Sequence, residues 1–157
     1  MRRASPKISF LGNKDQLPKE YDGPSEPTGP TIYSSGEGEV RPTYHIQCTL
    51  VAYQPELRDG SIRAFGEQTC NISNQQYITV CLYVSRWWGW QQISCKDAAK
   101  ITGAIAQFSW GCKNGTYDYQ TWADGAFTDE FGIVDAPGVT KSTILYGIPI
   151  NDARCTG

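Results

Sequence analysis

At 157 residues the chain suffices for one domain, and its 14 basic against 16 acidic residues argue against a binder that neutralises nucleic-acid phosphates. Six cysteines with no CxxC pair, beside a single histidine (His45), point to disulfides rather than a zinc site. Disulfides persist in oxidising compartments, so a secreted, extracellular protein is expected. No stretch approaches the length of a membrane span, and no metal or cofactor is expected.

Residues 1–43 differ from the rest. Pro6, Pro18, Pro24, Pro27, Pro30 and Pro42 fall here among scattered glycines, with no cysteine. Met1, Arg2 and Arg3 make a basic start, but Ala4 to Lys14 holds no apolar run for a signal segment, so export rests on the cysteines alone. Apolar residues come in small patches: Ile8, Phe10 and Leu11, then Leu17 and Tyr21, then Ile32 and Tyr33. Such a stretch cannot bury enough surface to offset its ordering entropy, so an extended, proline-stiffened arm is expected. Ile8 to Leu11 and Ile32 to Tyr33 are its candidate contacts with a partner, by strand addition or in a groove. On this reading residues 1–40 are removable without unfolding the body.

From Tyr44 to Gly157 short alternating runs are separated by turn residues, the pattern of an antiparallel β-sandwich of about seven strands. Ile46, Cys48, Leu50 and Ala52 share a face of a first strand, and Gln54 to Gly60 turns the chain. Ile62 to Cys70 is a second strand, closed by a polar turn over Asn71 to Gln75. Ile78, Val80, Leu82 and Val84 then alternate with Tyr77, Thr79, Cys81 and Tyr83, a central strand with one aliphatic face. Trp87, Trp88, Gly89 and Trp90 interrupt the alternation and predict a hairpin tip, with Cys81 and Cys95 placed to link its arms. Lys96 to Lys100 could make one helical turn. Ile101 to Trp110 reads as a strand, Lys113 to Gly115 as an Asn-Gly turn, and Thr116 to Ala123 as a strand. A glycine-rich connection over Asp124 to Val139 leads to a last strand, Thr140 to Tyr146. Six cysteines allow many pairings. The preferred order is Cys48 with Cys70, Cys81 with Cys95 and Cys112 with Cys155, of which the first two would tie neighbouring strands.

Catalytic constellations are thin. His45 is the only imidazole that could serve a nucleophile, and no GxSxG elbow is present. Asp118, Asp124, Asp129 and Glu130 fall among Tyr117, Tyr119, Trp122 and Phe127, the residue types of an aromatic-lined sugar cleft. The domain is small for a glycosidase, so no enzymatic activity is expected. DGAFTDE lacks the register of a calcium loop.

Trp87, Trp88 and Trp90 are the most unusual cluster. Adjacent residues of a strand face opposite ways, so Trp87 and Trp88 cannot both enter a core. With Arg86 they are the candidate partner-binding residues of the body, because tryptophan and arginine are enriched at interface hot spots. A carbohydrate-binding module using exposed tryptophans with Asp118 or Asp124 is the alternative, and a small hydrolase the third reading.

IQCTL, a glycine-containing strand ending TCN, then VCL, ISC, GCKNGTY and a terminal RCTG together resemble small secreted six-cysteine proteins of actinobacteria. Some of these are similar to the adaptor subunit of umbrella toxin particles. The resemblance covers residues 46–157 and rests on cysteine spacing and the CKNGTY turn. It implies a non-enzymatic adaptor that links other protein subunits, a lectin subunit and a repeat-containing toxin chain, with neither nucleic acid nor a membrane span as partner. The absence of a signal segment, and the high Lys, Asn, Ile and Gln content, depart from that pattern.

Overall fold

The computed structural model describes residues 16–35, 45–58, 61–99, 103–108 and 117–148. These form two antiparallel sheets packed as a sandwich, with twelve strands among the described residues. At the centre of the first sheet is β6 (Gln76–Arg86), whose alternation decides which side chains go where. Ile78, Val80, Leu82 and Val84 enter the core between the sheets, while Cys81 and Tyr83 face outward into a second, smaller cluster. β6 pairs with β7 (Gly89–Ala99) on one edge and with β9 (Tyr117–Asp129) on the other. Three short strands follow one another along the far edge of β9: β10 (Gly132–Asp135), β11 (Thr140–Lys141) and β12 (Leu145–Ile148).

The second sheet is built around β5 (Ser61–Cys70). β3 (Gln47–Ala52) and β4 (Glu56–Arg58) share one of its edges, and β8 (Gly103–Phe108) takes the other. Ile62, Ala64, Leu50, Ala104 and Ala106 meet the aliphatic face of β6 in the common core. Two disulfides tie neighbouring strands, Cys48–Cys70 between β3 and β5 and Cys81–Cys95 between β6 and β7. Cys112 and Cys155 lie outside the described residues.

The leader departs most from the sequence reading. Glu20–Tyr21 (β1) pairs with Trp90 and Gln91 of β7, and Thr31–Ser34 (β2) pairs with β3, so one segment adds a strand to each sheet. Between them Thr28 and Lys141 exchange two bonds: the Thr28 amide donates to the Lys141 carbonyl (3.0 Å), and the Lys141 amide to Thr28 Oγ1 (2.9 Å). No arm boundary therefore falls between Gln16 and Ser35, and removing residues 1–40 would strip both strands. The physical reason is that the segment needs no core of its own. Its isolated apolar residues act singly, Leu17 on the outer cluster and Tyr33 in the main core, while sheet edges satisfy its backbone. Prolines between these contacts lower the entropy lost on docking.

Tyr33 also anchors a buried polar network. Its hydroxyl donates to Gln68 Oε1 at 2.6 Å, and Gln68 Nε2 donates to Gln76 Oε1 and to the Ala126 carbonyl, both at 3.2 Å. Gly125 faces this amide, and a Cβ there would run into Gln68 Oε1. That is why a glycine sits inside β9, where the sequence suggests a loop. The expected connection over Asp124 to Val139 is mostly strand, since β9 continues to Asp129 and turns into β10.

Three smaller differences concern short segments. Lys96 to Ala99 extends β7 against Tyr77 to Val80 rather than making a helical turn, because four residues cannot nucleate a helix against a ready strand edge. The turn over Gln54 to Gly60 contains β4, and the last strand is two, β11 and β12. No helix long and apolar enough to cross a membrane occurs among the described residues.

Candidate functional site

The hairpin joining β6 to β7 is the first candidate. Arg86 pairs with Gly89, so Trp87 and Trp88 make up a two-residue turn and the alternation of facing no longer applies to them. Trp87 is 94 % exposed, whereas Trp88 is half-buried and Trp90 is 6 % exposed in the outer cluster. Gly89 has φ +146°, and a Cβ on it would strike the Tyr21 carbonyl and Asp22 Cα, so only glycine lets the leader cross behind the tip. Arg86 is engaged: its Nε donates to Gln91 Oε1 at 2.8 Å, and its guanidinium lies 5.0 Å from the centre of the Tyr117 ring. The tip thus offers one bare indole on a braced base.

Beneath it, on the outer face of the first sheet, Tyr83 stacks on Trp122 with ring centres 4.0 Å apart, and Tyr21 meets Trp122 edge-on at 5.5 Å. The Lys141 ammonium caps both, 4.1 Å from Trp122 and 4.9 Å from Tyr21, and burial lowers its pKa. Tyr83 donates its hydroxyl to the Pro18 carbonyl (2.7 Å), and burial pushes its phenol pKa up. Trp122 Nε1 and Ser25 Oγ both donate to Gln120 Oε1, at 2.7 and 2.6 Å. A shallow cleft of about 290 Å³ remains between Gln16, Tyr21, Trp122 and Lys141. Its aromatic groups are already occupied by the protein's own lysine, and the arrangement clamps the leader.

No family model, curated protein or solved structure matches this chain.

The remaining candidates from the sequence are dispersed. Asp118 and Asp124 share the outer face of β9 but lie six residues, about 20 Å, apart, too far for the pair of carboxyls flanking a glycosidic bond. Asp118 Oδ1 accepts from the Gly147 amide (2.7 Å), Asp129 Oδ1 from the Phe131 amide (2.7 Å) in the β9–β10 turn, and Glu130 sits in that turn. Asp124 is 1 % exposed, and its pKa is raised to about 7, first by burial and further by the charge of Asp135, against hydrogen bonds from Gly125 and Gln16 that pull it down. Tyr119, Trp122 and Phe127 are core residues. Among the described residues no group of three His, Cys, Asp or Glu side chains is placed to hold a metal.

Of the leader residues, Tyr33 is buried and Ile32 is 62 % exposed on the opposite side of β2. Ile8, Phe10 and Leu11 lie outside the described residues. Sequence reasoning passed over the outer face of the second sheet, where Tyr53, just past the end of β3, stands beside Phe65 of β5 and Ile105 of β8. The signal was present as Phe65 and Ile105 alternating against the inward-facing Ala64, Ala104 and Ala106.

Proposed function

We propose that this protein is a non-enzymatic, extracellular binding subunit that joins other proteins through the tryptophan tip of its central hairpin. The observation that carries the reading is the 94 % exposure of Trp87 on a two-residue turn. A bare indole has no role in this protein's own packing, and tryptophan is enriched at interface hot spots because it buries much apolar area with few rotatable bonds.

The hairpin is suited to presenting it. Cys81–Cys95 bridges its arms, β1 braces its outer edge and Arg86 locks its base, so little entropy is lost when the tip is ordered by a partner. Two disulfides among the described residues support an oxidising, extracellular setting. The linking role rests on the resemblance of the cysteine spacing to small secreted six-cysteine proteins, some of which are similar to an adaptor subunit. Ile32, exposed on the leader, offers a second apolar contact away from the tip.

A photo-crosslinking residue placed at position 88, beside an intact Trp87 in the same two-residue turn, tests the reading when the protein is presented to the secreted proteins of its source. A discrete crosslinked partner is expected, and Trp87→Ala should abolish co-purification of that partner while leaving the melting temperature unchanged. Undiminished co-purification of the partner by Trp87→Ala would remove the tip from the account.

A further inference from the structure

The outer face of the second sheet carries features that the tip does not explain. Tyr53 and Phe65 are cross-strand neighbours: the Tyr53 amide donates to the Phe65 carbonyl at 2.9 Å, and Phe65 is paired in turn with Ile105 of β8. Their rings are stacked with centres 5.2 Å apart and planes inclined by 16°. That spacing is wider than direct ring-on-ring contact, so the rings are offset and each keeps part of its surface in water. They are 42 % and 36 % exposed, and Ile105 is 50 % exposed. Tyr53 is held upright by its hydroxyl, which donates to Glu67 Oε1 at 2.8 Å.

Beside this apolar row lies a charged one. Glu56 of β4 faces Arg63 of β5, yet the carboxylate of Glu56 lies 3.7 Å from Arg58 and that of Glu67 is engaged by Tyr53. Arg63 makes no hydrogen bond or ion pair with any described residue, and its Nε is buried without an acceptor. That one N–H is left short of the acceptor it lost on leaving water, while the residue as a whole is only partly buried. Tyr53, Gln54, Phe65 and Arg63 together line an open cleft of about 430 Å³, within the size range of small-ligand sites.

We propose that this cleft binds an acidic saccharide, one pyranose ring lying against Tyr53 and Phe65 and its carboxylate accepting the fork of Arg63. The chemistry of each part selects this class. A sugar ring has an apolar face of C–H groups and a rim of hydroxyls, which matches an aromatic pair bordered by Gln54 and Glu56. A planar carboxylate accepts two parallel N–H bonds from a guanidinium, which a neutral sugar cannot do. Gln54 is already oriented, its Nε2 donating to the Ile144 carbonyl at 2.8 Å. The site shares no residue with the hairpin tip, so it stands or falls independently of the adaptor reading.

Titration of the full chain with trimers of galacturonate, glucuronate and mannuronate, each beside its methyl ester and a sulfated trimer, tests this by NMR. At least one uronate should shift the Arg63 Nε–H signal and bind about tenfold or more tightly than its ester. Arg63→Gln should bring acid and ester to equal affinity. Phe65→Ala and Tyr53→Ala should each weaken both by about tenfold, as loss of a stacking partner does. Tyr53→Ala, at a more exposed position, is read if Phe65→Ala fails to fold, and Trp87→Ala should bind as the parent does. No response to any uronate, a response to the sulfated trimer alone, an acid preference surviving Arg63→Gln, or full binding by Tyr53→Ala would each overturn the assignment.

Discussion

Gln16 Nε2 donates a 3.0 Å hydrogen bond to Oδ1 of Asp124, joining the first described residue of the leader to the middle of β9. The same oxygen accepts the Gly125 amide at 2.9 Å, and the carboxyl is 1 % exposed. Two donors to one oxygen do not offset the loss of water, so burial keeps the pKa at about 7, above the ordinary value of 3.8.

The sign of the consequence follows from linkage. A carboxyl whose folded pKa is raised favours folding most when protonated, below about pH 4. That contribution is lost as pH rises from about 4 to about 7, and above about 7 the buried charge opposes folding in full. Asp124→Asn keeps an oxygen for both donors and removes the charge. It should be more stable than the parent above pH 7, by no more than about 4 kcal/mol, and the gap should close towards pH 4. Urea unfolding of both proteins at several pH values measures this. An equal difference at every pH would show that the Asp124 carboxyl does not titrate in this range.

Gly89 holds φ +146° with the leader's backbone against it. Gly89→Ala should push β1 off β7 and cost about 1–3 kcal/mol, the usual penalty for a side chain in such a backbone conformation. The readout is local: the Gln92 amide, which donates to the Lys19 carbonyl at 2.9 Å, should lose protection from hydrogen exchange. If that amide exchanges as slowly as in the parent, the leader does not depend on the close approach at Gly89.

Deleting residues 1–35 should do more than shorten the protein. It removes β1 and β2, strips Leu17, Pro18 and Tyr21 from the stacked Tyr83 and Trp122, and leaves the buried Gln68 without the Tyr33 hydroxyl. Losing Tyr33 alone should cost about 3–5 kcal/mol, as truncation of a large core aromatic does. The truncated protein is expected to bind a hydrophobic dye and to melt well below the parent. A truncated protein with the parent's melting temperature would restore the picture of a separable arm.

Wherever burial repeats with a short period, the chain declares its fold in one dimension. The strand over Gln76 to Arg86 is readable because alternate aliphatic residues imply one buried face, and Cys81 and Cys95 flank a tip at a spacing that neighbouring strands can bridge. The leader is a different case. Its apolar residues are too sparse to predict a core, and nothing in its composition says that two sheet edges will meet its backbone, because backbone hydrogen bonding is the same for every residue but proline. Asp118 and Asp124 look like neighbours in the sequence, yet an extended strand sets them about 20 Å apart. Tyr53, Phe65 and Ile105, separated along the chain, come together only by strand register. Local alternation was therefore enough for the two-layer class and the tryptophan tip. Which surfaces the protein covers with its own leader, and which it leaves open, was decided by long-range pairing that no local pattern encodes.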